Sequence, residues 1–332
     1  MIKRNLYIFI LSVLFFACSN NIPDVSDIKV NPKIVRIDKI LFEKDVKKIN
    51  KWLPEISATH RSFMDIYTSR IVIAGGLSRK AYIRKMQYFV VYTTTFEIDK
   101  AIQKQFRDFD KIKNEIIDFL KFYKYYFPDN QIPNIYTFVS GFNQSVIVGT
   151  DFIGVGLDKY LGPKSHYYAD MNIPLYQRYR ANKKFIPVDL CRALAYYQFE
   201  YPDTTENLLN KMIYEGKIQY FIDKMFPYNN DTLKIAYTEQ QIQWCKNNEK
   251  NVWVWFVENK KLLSDNIIDI KRYTGEAPFT ADFSRESPGR LGVWIGWQII
   301  RSYMKNNPKV SLQDLMKDDD FQKIMNLSKY NP

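Results

Sequence analysis

His60 and His166 are all the imidazoles in this chain, and they lie far apart. Cysteine is as scarce, with three. Structural and catalytic zinc sites draw their N and S ligands mostly from these two residue types. With so few, no multi-Cys zinc site fits, and no two-His helix motif fits either. A disulfide-dense scaffold is excluded too. The chain must hold together by burying apolar surface. Its 332 residues, 46% apolar and 16% aromatic, are enough to build a real core.

The first eighteen residues set the compartment. Lys3 and Arg4 form a positive start, 6–16 is an apolar run broken only by Ser12, and Ala17-Cys18 follows. About 20 apolar residues are needed to cross a bilayer, so this run is too short to span and reads as a secretory signal. Leu14-Phe15-Phe16-Ala17-Cys18 resembles a bacterial lipobox, in which the Cys thiol is diacylated and the chain is cut just before it. Phe15 stands where that pattern prefers Leu. Acyl chains contribute about 0.8 kcal/mol per buried methylene, and several of them anchor a protein without a spanning helix. The expected organisation is a signal peptide over 1–17, a lipidated polar tether over 18–31 and a single envelope domain over 32–332.

The formal charge of +12 comes from 34 Lys and only 14 Arg, alongside plentiful Asn, Ile and Tyr. That is a general composition bias and not an Arg-rich phosphate-recognising patch. With export added, no nucleic-acid partner is expected. Cys191 and Cys245 either pair or stand as two separate buried thiols, since sequence cannot place them within bonding distance.

Periodicity predicts a mainly helical chain with a small β-sheet, an α+β fold. Helices are expected over 38–53, ended by Pro54, then over 79–96 and 109–127. The last of these carries Ile112, Ile116, Leu120 and Tyr123 on one stripe. Alternating β-formers at 135–139, a Gly141-Phe142-Asn143 turn and runs at 145–148 and 151–157 predict the sheet, within 134–157. Gly154 and Gly156 allow close backbone approach there. From 174 onward the chain returns to helix, at 186–201 and then to Met225 after a cap at Asp203 or Thr204. Thr238 opens another helix with Gln241 three residues on, a capping-box arrangement. A strong helix is expected over 288–305, with short ones after Ser311 and Asp319.

Within that last strong helix, Glu286-Ser-Pro-Gly-Arg290 is the most distinctive segment. Ser287 reads as an N-cap and Pro288 as the first helical residue. Arg290 then opposes the helix dipole by roughly 0.3–1 kcal/mol, which calls for an acid partner, Glu286 being nearest, or for an anionic ligand. Gly292 and Gly296 share a face, and each costs about 1 kcal/mol relative to Ala, so another backbone should pack there. Glu215-Gly216 interrupts an apolar helix, with Lys211 and Lys217 as partners on a solvated face, or with the carboxylate facing a cleft. His60 and His166 suit surface or capping roles. No nucleophile elbow, phosphate loop or dinucleotide fingerprint is present in the sequence. Five tryptophans in the last third (Trp244, Trp253, Trp255, Trp294, Trp297) suit core packing, with a carbohydrate groove as the alternative.

Taken together, the signal ending in Cys18, the 217–226 stretch after Glu215-Gly216, Tyr237-Thr-Glu-Gln-Gln-Ile-Gln-Trp-Cys245, the 286–303 segment and the closing Ser328-Lys-Tyr-Asn-Pro332 resemble the GldB family of gliding-motility lipoproteins. The resemblance covers nearly the whole chain. It implies a cell-envelope lipoprotein that supports surface gliding and the secretion machinery supplying its adhesins. Other envelope proteins of that machinery are the implied partners, with a lipid anchor in the outer membrane, facing the periplasm, and no established catalysis.

A weaker resemblance is to zincin metallopeptidases: a sheet, a helix, then a helix bearing Glu-Gly. In those enzymes a His-Glu-x-x-His helix binds zinc, and the later Glu is the third ligand. Here the corresponding helix reads Val188-Asp-Leu-Cys-Arg-Ala-Leu-Ala-Tyr-Tyr-Gln-Phe199, with Asp189 and Arg192 but no His. That implies a degenerate, metal-free relative with no cofactor, in which Glu215 is a relict ligand position paired with Arg192 or Arg290. Asp189, Arg192, Glu215, Glu286 and Arg290 are thus the candidate cleft or structural charge cluster. A hydrolase of peptides or cell-wall material would need an open cleft joining Glu215 to Arg290, and a glycan-binding module would need exposed coplanar rings.

Overall fold

In the computed structural model the described residues are 22–78, 81–202 and 207–332. Cys18 and the expected cap at Asp203 or Thr204 lie outside them. Val25 and Val30, inside the stretch read as a polar tether, pack against the main core. The first regular element is a strand, β1 (Ile34–Arg36), that runs straight into α1 (Ile37–Phe42). Four helices follow: α2 (Ile49–Thr59), α3 (Arg61–Ile66), α4 (Tyr82–Thr95) and α5 (Ile98–Gln105).

The helix expected over 38–53 is therefore two helices, and Pro54 does not end the second. Pro54 sits inside α2 on its exposed side, where the carbonyl that loses its N–H partner faces water. The apolar face of Ile49, Trp52, Leu53 and Ile56 is buried on both sides of the proline and carries the helix through. α6 (Asp110–Tyr126) matches its predicted stripe, with Ile112, Ile116, Leu120 and Tyr123 all buried.

The sheet adds β2 (Asn134–Phe138), β3 (Val146–Val148) and β4 (Phe152–Gly156), in the order β1-β2-β4-β3. β2 runs parallel to β1 and β4, and β3 is antiparallel to β4. β4 is buried along its whole length, as a strand covered on both faces must be. Tyr136, Phe138, Ile147 and Phe152 join Phe63 and Tyr67 in an aromatic layer with the N-terminal helices. Ile135, Val139, Ile153 and Val155 face the larger core. A side chain at Gly156 would strike the Gln144 carbonyl, and one at Gly154 would press on Ile147, Phe138 and Phe63, so both glycines keep the layers close.

After the sheet come α7 (His166–Asp170), α8 (Leu175–Arg178) and α9 (Ile186–Gln198). α10 (Leu208–Met225) is capped by Asn207, whose side chain accepts from Asn210 N–H. It is buried nearly all round and forms the axis of the C-terminal half. α11 (Asp231–Ile235), α12 (Glu239–Glu258) and α13 (Ile267–Thr274) surround it. The Thr238–Gln241 capping box forms as predicted. α14 (Leu291–Asn306), α15 (Leu312–Lys317) and α16 (Phe321–Ser328) complete the chain.

α10 and α14 meet backbone to backbone. A Cβ on Gly216 would overlap the Gly296 carbonyl, and one on Gly296 would overlap that of Met212. This is the close packing the glycine pair predicts. Beside the contact, Arg301 forks onto Asp223 and Asp231 at 2.8–2.9 Å, and Trp297 Nε1 donates to Asp223 at 2.8 Å.

α14 starts three residues later than expected. Pro288 is not its first residue, and Arg290 occupies the N-cap with left-handed backbone (φ 58°). The cause is tertiary. Ser287 Oγ is engaged with Thr280 and Ser284 and not with the helix, Thr280 Oγ1 donates to the Pro288 carbonyl, and Gly289 lies against the backbone of Ala277.

Candidate functional site

The first two turns of α9 bring Asp189 and Arg192 to the wall of a cleft of about 440 Å³ between β3, the loop after α8 and residue 276. The chain ahead of α9 supplies Arg178 and Arg180, and Tyr160, Tyr168, Tyr196 and Ile173 line the rest with Glu276 at the mouth. Arg180 sits at the centre of the charges. Its guanidinium meets Asp189 at 2.8 Å and Glu276 at 2.6 Å. The second Asp189 oxygen accepts from Tyr160 Oη at 3.0 Å.

Arg192 is buried and locked by neutral acceptors. Its Nη2 donates to the Lys234 carbonyl at 2.5 Å, and with the Gln219 amide turned to the orientation that satisfies both of its ends, Nη1 donates to the Gln219 oxygen while the amide nitrogen donates to the same carbonyl. Nε lies 4.0 Å from Asp189 and has no hydrogen-bond partner among the described residues. Burial lowers the proton affinity of Arg192, and the positive charges of Arg180 and Arg290 lower it further. Burial pushes Glu276 the other way, but Arg290, Arg180 and Arg192 outweigh it and hold the carboxyl below its usual range.

The five residues singled out in the sequence do not form one cluster. Asp189 and Arg192 line the cleft; Glu215, Glu286 and Arg290 do not. Glu215 is buried on α10, pairs with Lys211 at 3.1 Å and accepts from Tyr196 Oη at 2.5 Å. It meets neither Arg192 nor Arg290. Lys217, the other expected partner, is buried and reaches Asp319 and the Asp318 carbonyl instead. Arg290 pairs with Glu276 at 3.3 Å, donates to the Ile235 carbonyl and lies over the Tyr237 ring. Glu286 is exposed and forms no ion pair among the described residues. The acid that answers Arg290 is thus Glu276, placed by a chain crossing that local spacing does not reveal.

Arg178, Arg180, Tyr160 and Glu276 were missed by sequence reasoning. Gln177-Arg-Tyr-Arg180 offered a faint signal, two of only 14 arginines separated by a single residue. Glu276 offered none. His60 Nδ1 lies 3.2 Å from Tyr136 Oη, and His166 is exposed beside Tyr167. Cys191 and Cys245 are free and buried. Trp294 and Trp297 are core, and Trp244, Trp253 and Trp255 pack against it.

Among the described residues no group of three or more His, Cys, Asp or Glu could hold a metal ion, and no helix is long and apolar enough to cross a membrane. No curated protein and no solved structure matches the chain. The family model described as gliding motility protein GldB matches residues 18–332, and on that span the chain belongs to the GldB family of gliding-motility lipoproteins.

Proposed function

We propose that this protein is a periplasm-facing lipoprotein of the outer membrane. It is held by acyl chains on Cys18 through a tether within 18–31, and it supports gliding and the associated secretion machinery non-catalytically, by binding other envelope proteins. The observation that carries the reading is the family match over 18–332. The state of the charges supports the non-catalytic part, since Glu215 and Arg290 are both engaged inside the fold and neither lines the cleft.

Contact with a partner protein finds support on α4. Tyr88, Val91, Tyr92 and Phe96 stand exposed at helical spacing along one side, Tyr88 at 68%. Large apolar side chains grouped on one exposed face are a recognised feature of protein interaction surfaces.

The test is complementation of a strain lacking the protein. Wild type and Glu215→Gln should restore gliding, and the Tyr88→Ser/Tyr92→Ser double variant should not, at equal abundance. Loss of gliding with Glu215→Gln at unchanged stability would favour a hydrolase. Cys18→Ala should leave the membrane fraction, and unchanged partitioning refutes lipidation.

A further inference from the structure

Counting charge on the walls of the cleft exposes an imbalance. Lys159, Arg178, Arg180 and Arg192 face two acids, Asp189 and Glu276. Both acids are already bound to Arg180. Asp189 is further used by Tyr160, and Glu276 by Arg290. Arg192 is left with carbonyl and amide acceptors, which engage its two terminal nitrogens but leave Nε unpartnered and its charge uncancelled. Arg178 uses Nε on the Ile173 carbonyl at 2.6 Å, and among the described residues no acid lies within ion-pair distance of its terminal nitrogens. Lys159 likewise holds only a carbonyl, that of Phe142 at 3.2 Å.

A buried cation whose only carboxylate is shared and 4.0 Å away is poorly compensated. A low-dielectric cleft concentrates the resulting field on whatever anion enters. The space, about 440 Å³, exceeds what a bare ion needs and lies in the range of small-molecule pockets. Tyr196 is the half-buried ring on its wall, while Tyr160 and Tyr168 back the cleft from within the core.

We propose that the cleft binds a small organic anion, with a carboxylate or phosphate group held by the free terminal nitrogens of Arg178 in the field of Arg192, and its body against Tyr196 and Ile173. Nε of Arg192 is sealed from solvent. Arg192 therefore acts through its fixed charge, while Arg178 makes the direct, fork-shaped contact. This assignment stands on the cleft alone and is independent of the gliding role.

Isothermal titration of the full chain in neutral detergent at low salt tests it with three probes that share one ring: glucose, glucuronate and glucose 6-phosphate. At least one of the two anions should bind and glucose should not; which anion binds distinguishes carboxylate from phosphate. Arg178→Gln, a change at a partly exposed side chain, should weaken binding by about tenfold or more with the unfolding midpoint unchanged. Glu276→Gln removes a competing acid at the mouth and should tighten it. The proposal is overturned if neither anion binds up to about 10 mM, if glucose binds equally, or if Arg178→Gln leaves the affinity where it was.

Discussion

Replacing Gly296 with alanine sets two effects of opposite sign against each other. Alanine is the better helix former by about 1 kcal/mol, so on propensity alone the variant gains stability. The interface with α10 says otherwise. The new methyl would overlap the carbonyl oxygen of Met212, a backbone atom that no rotamer change can move. Relief requires α10 and α14 to part, and overpacking of this kind costs roughly 1–3 kcal/mol. Parting also loosens Trp294, Trp297 and Ile295, all fully buried, because a gap of about 0.5–1 Å forfeits a quarter to a half of each contact. The net expectation is a loss of about 1–3 kcal/mol, or roughly 1.5–5 °C in midpoint for a body of this size. Urea unfolding followed by tryptophan fluorescence reads it directly, since both buried indoles report on this interface. Gly216→Ala should cost a similar amount. Gly292→Ala should cost less, because its nearest neighbour, the Tyr273 carbonyl at 2.9 Å, would be overlapped far less than the Met212 carbonyl beside Gly296. A Gly296→Ala protein as stable as wild type, or more so, refutes the argument.

Three further outcomes follow from other parts of the fold. Arg301→Lys keeps the charge but loses both forks onto Asp223 and Asp231, and should cost about 1.5–3 kcal/mol in the same urea assay. Burial pushes both Asp231 and Glu276 up, but arginines (Arg301 for the first, Arg290, Arg180 and Arg192 for the second) hold their carboxyls below the ordinary range. Depressed folded-state values mean that their stabilisation is present above about pH 4, the range of the unfolded carboxyls, and is lost as pH falls through the folded values; the urea midpoint should drop there, with a shallower fall in an Asp231→Asn/Glu276→Gln variant. Burial raises the thiols of Cys191 and Cys245, so iodoacetamide should label neither quickly in the native state and both in denaturant. Fast native labelling of either contradicts the buried placement.

What could be read ahead of the structure was mostly local. The α6 stripe, the Thr238–Gln241 box, the three strands within 134–157 and the glycine contact of α14 all rest on residues within a few turns of one another, or on a cost that only one kind of neighbour explains. β1 escaped notice because three residues without a turn signal carry no period, and its partner lies a hundred residues on. Ser287-Pro288 has the chemistry of a helix start, yet contacts with Thr280 and Ala277 draw it into a packed loop. The cleft was half legible. Asp189 and Arg192 share a helix turn, but Arg180 and Glu276 are joined by an ion pair across ninety-six residues, and no spacing rule reaches that far.

The parallel pairing of β1 with β2 has a mechanical consequence. In a lipid-anchored chain a pull from the membrane meets the packing of Val25 and Val30 and then enters the amino end of the first strand, just after Lys33, whose carbonyl already accepts from Ile135 N–H. Traction along the strand axis stretches the bonds at 34–36 together, in shear, whereas traction across it opens them one after another like a zipper. The direction of the leash relative to the sheet therefore sets how much force the body withstands before its first strand peels away.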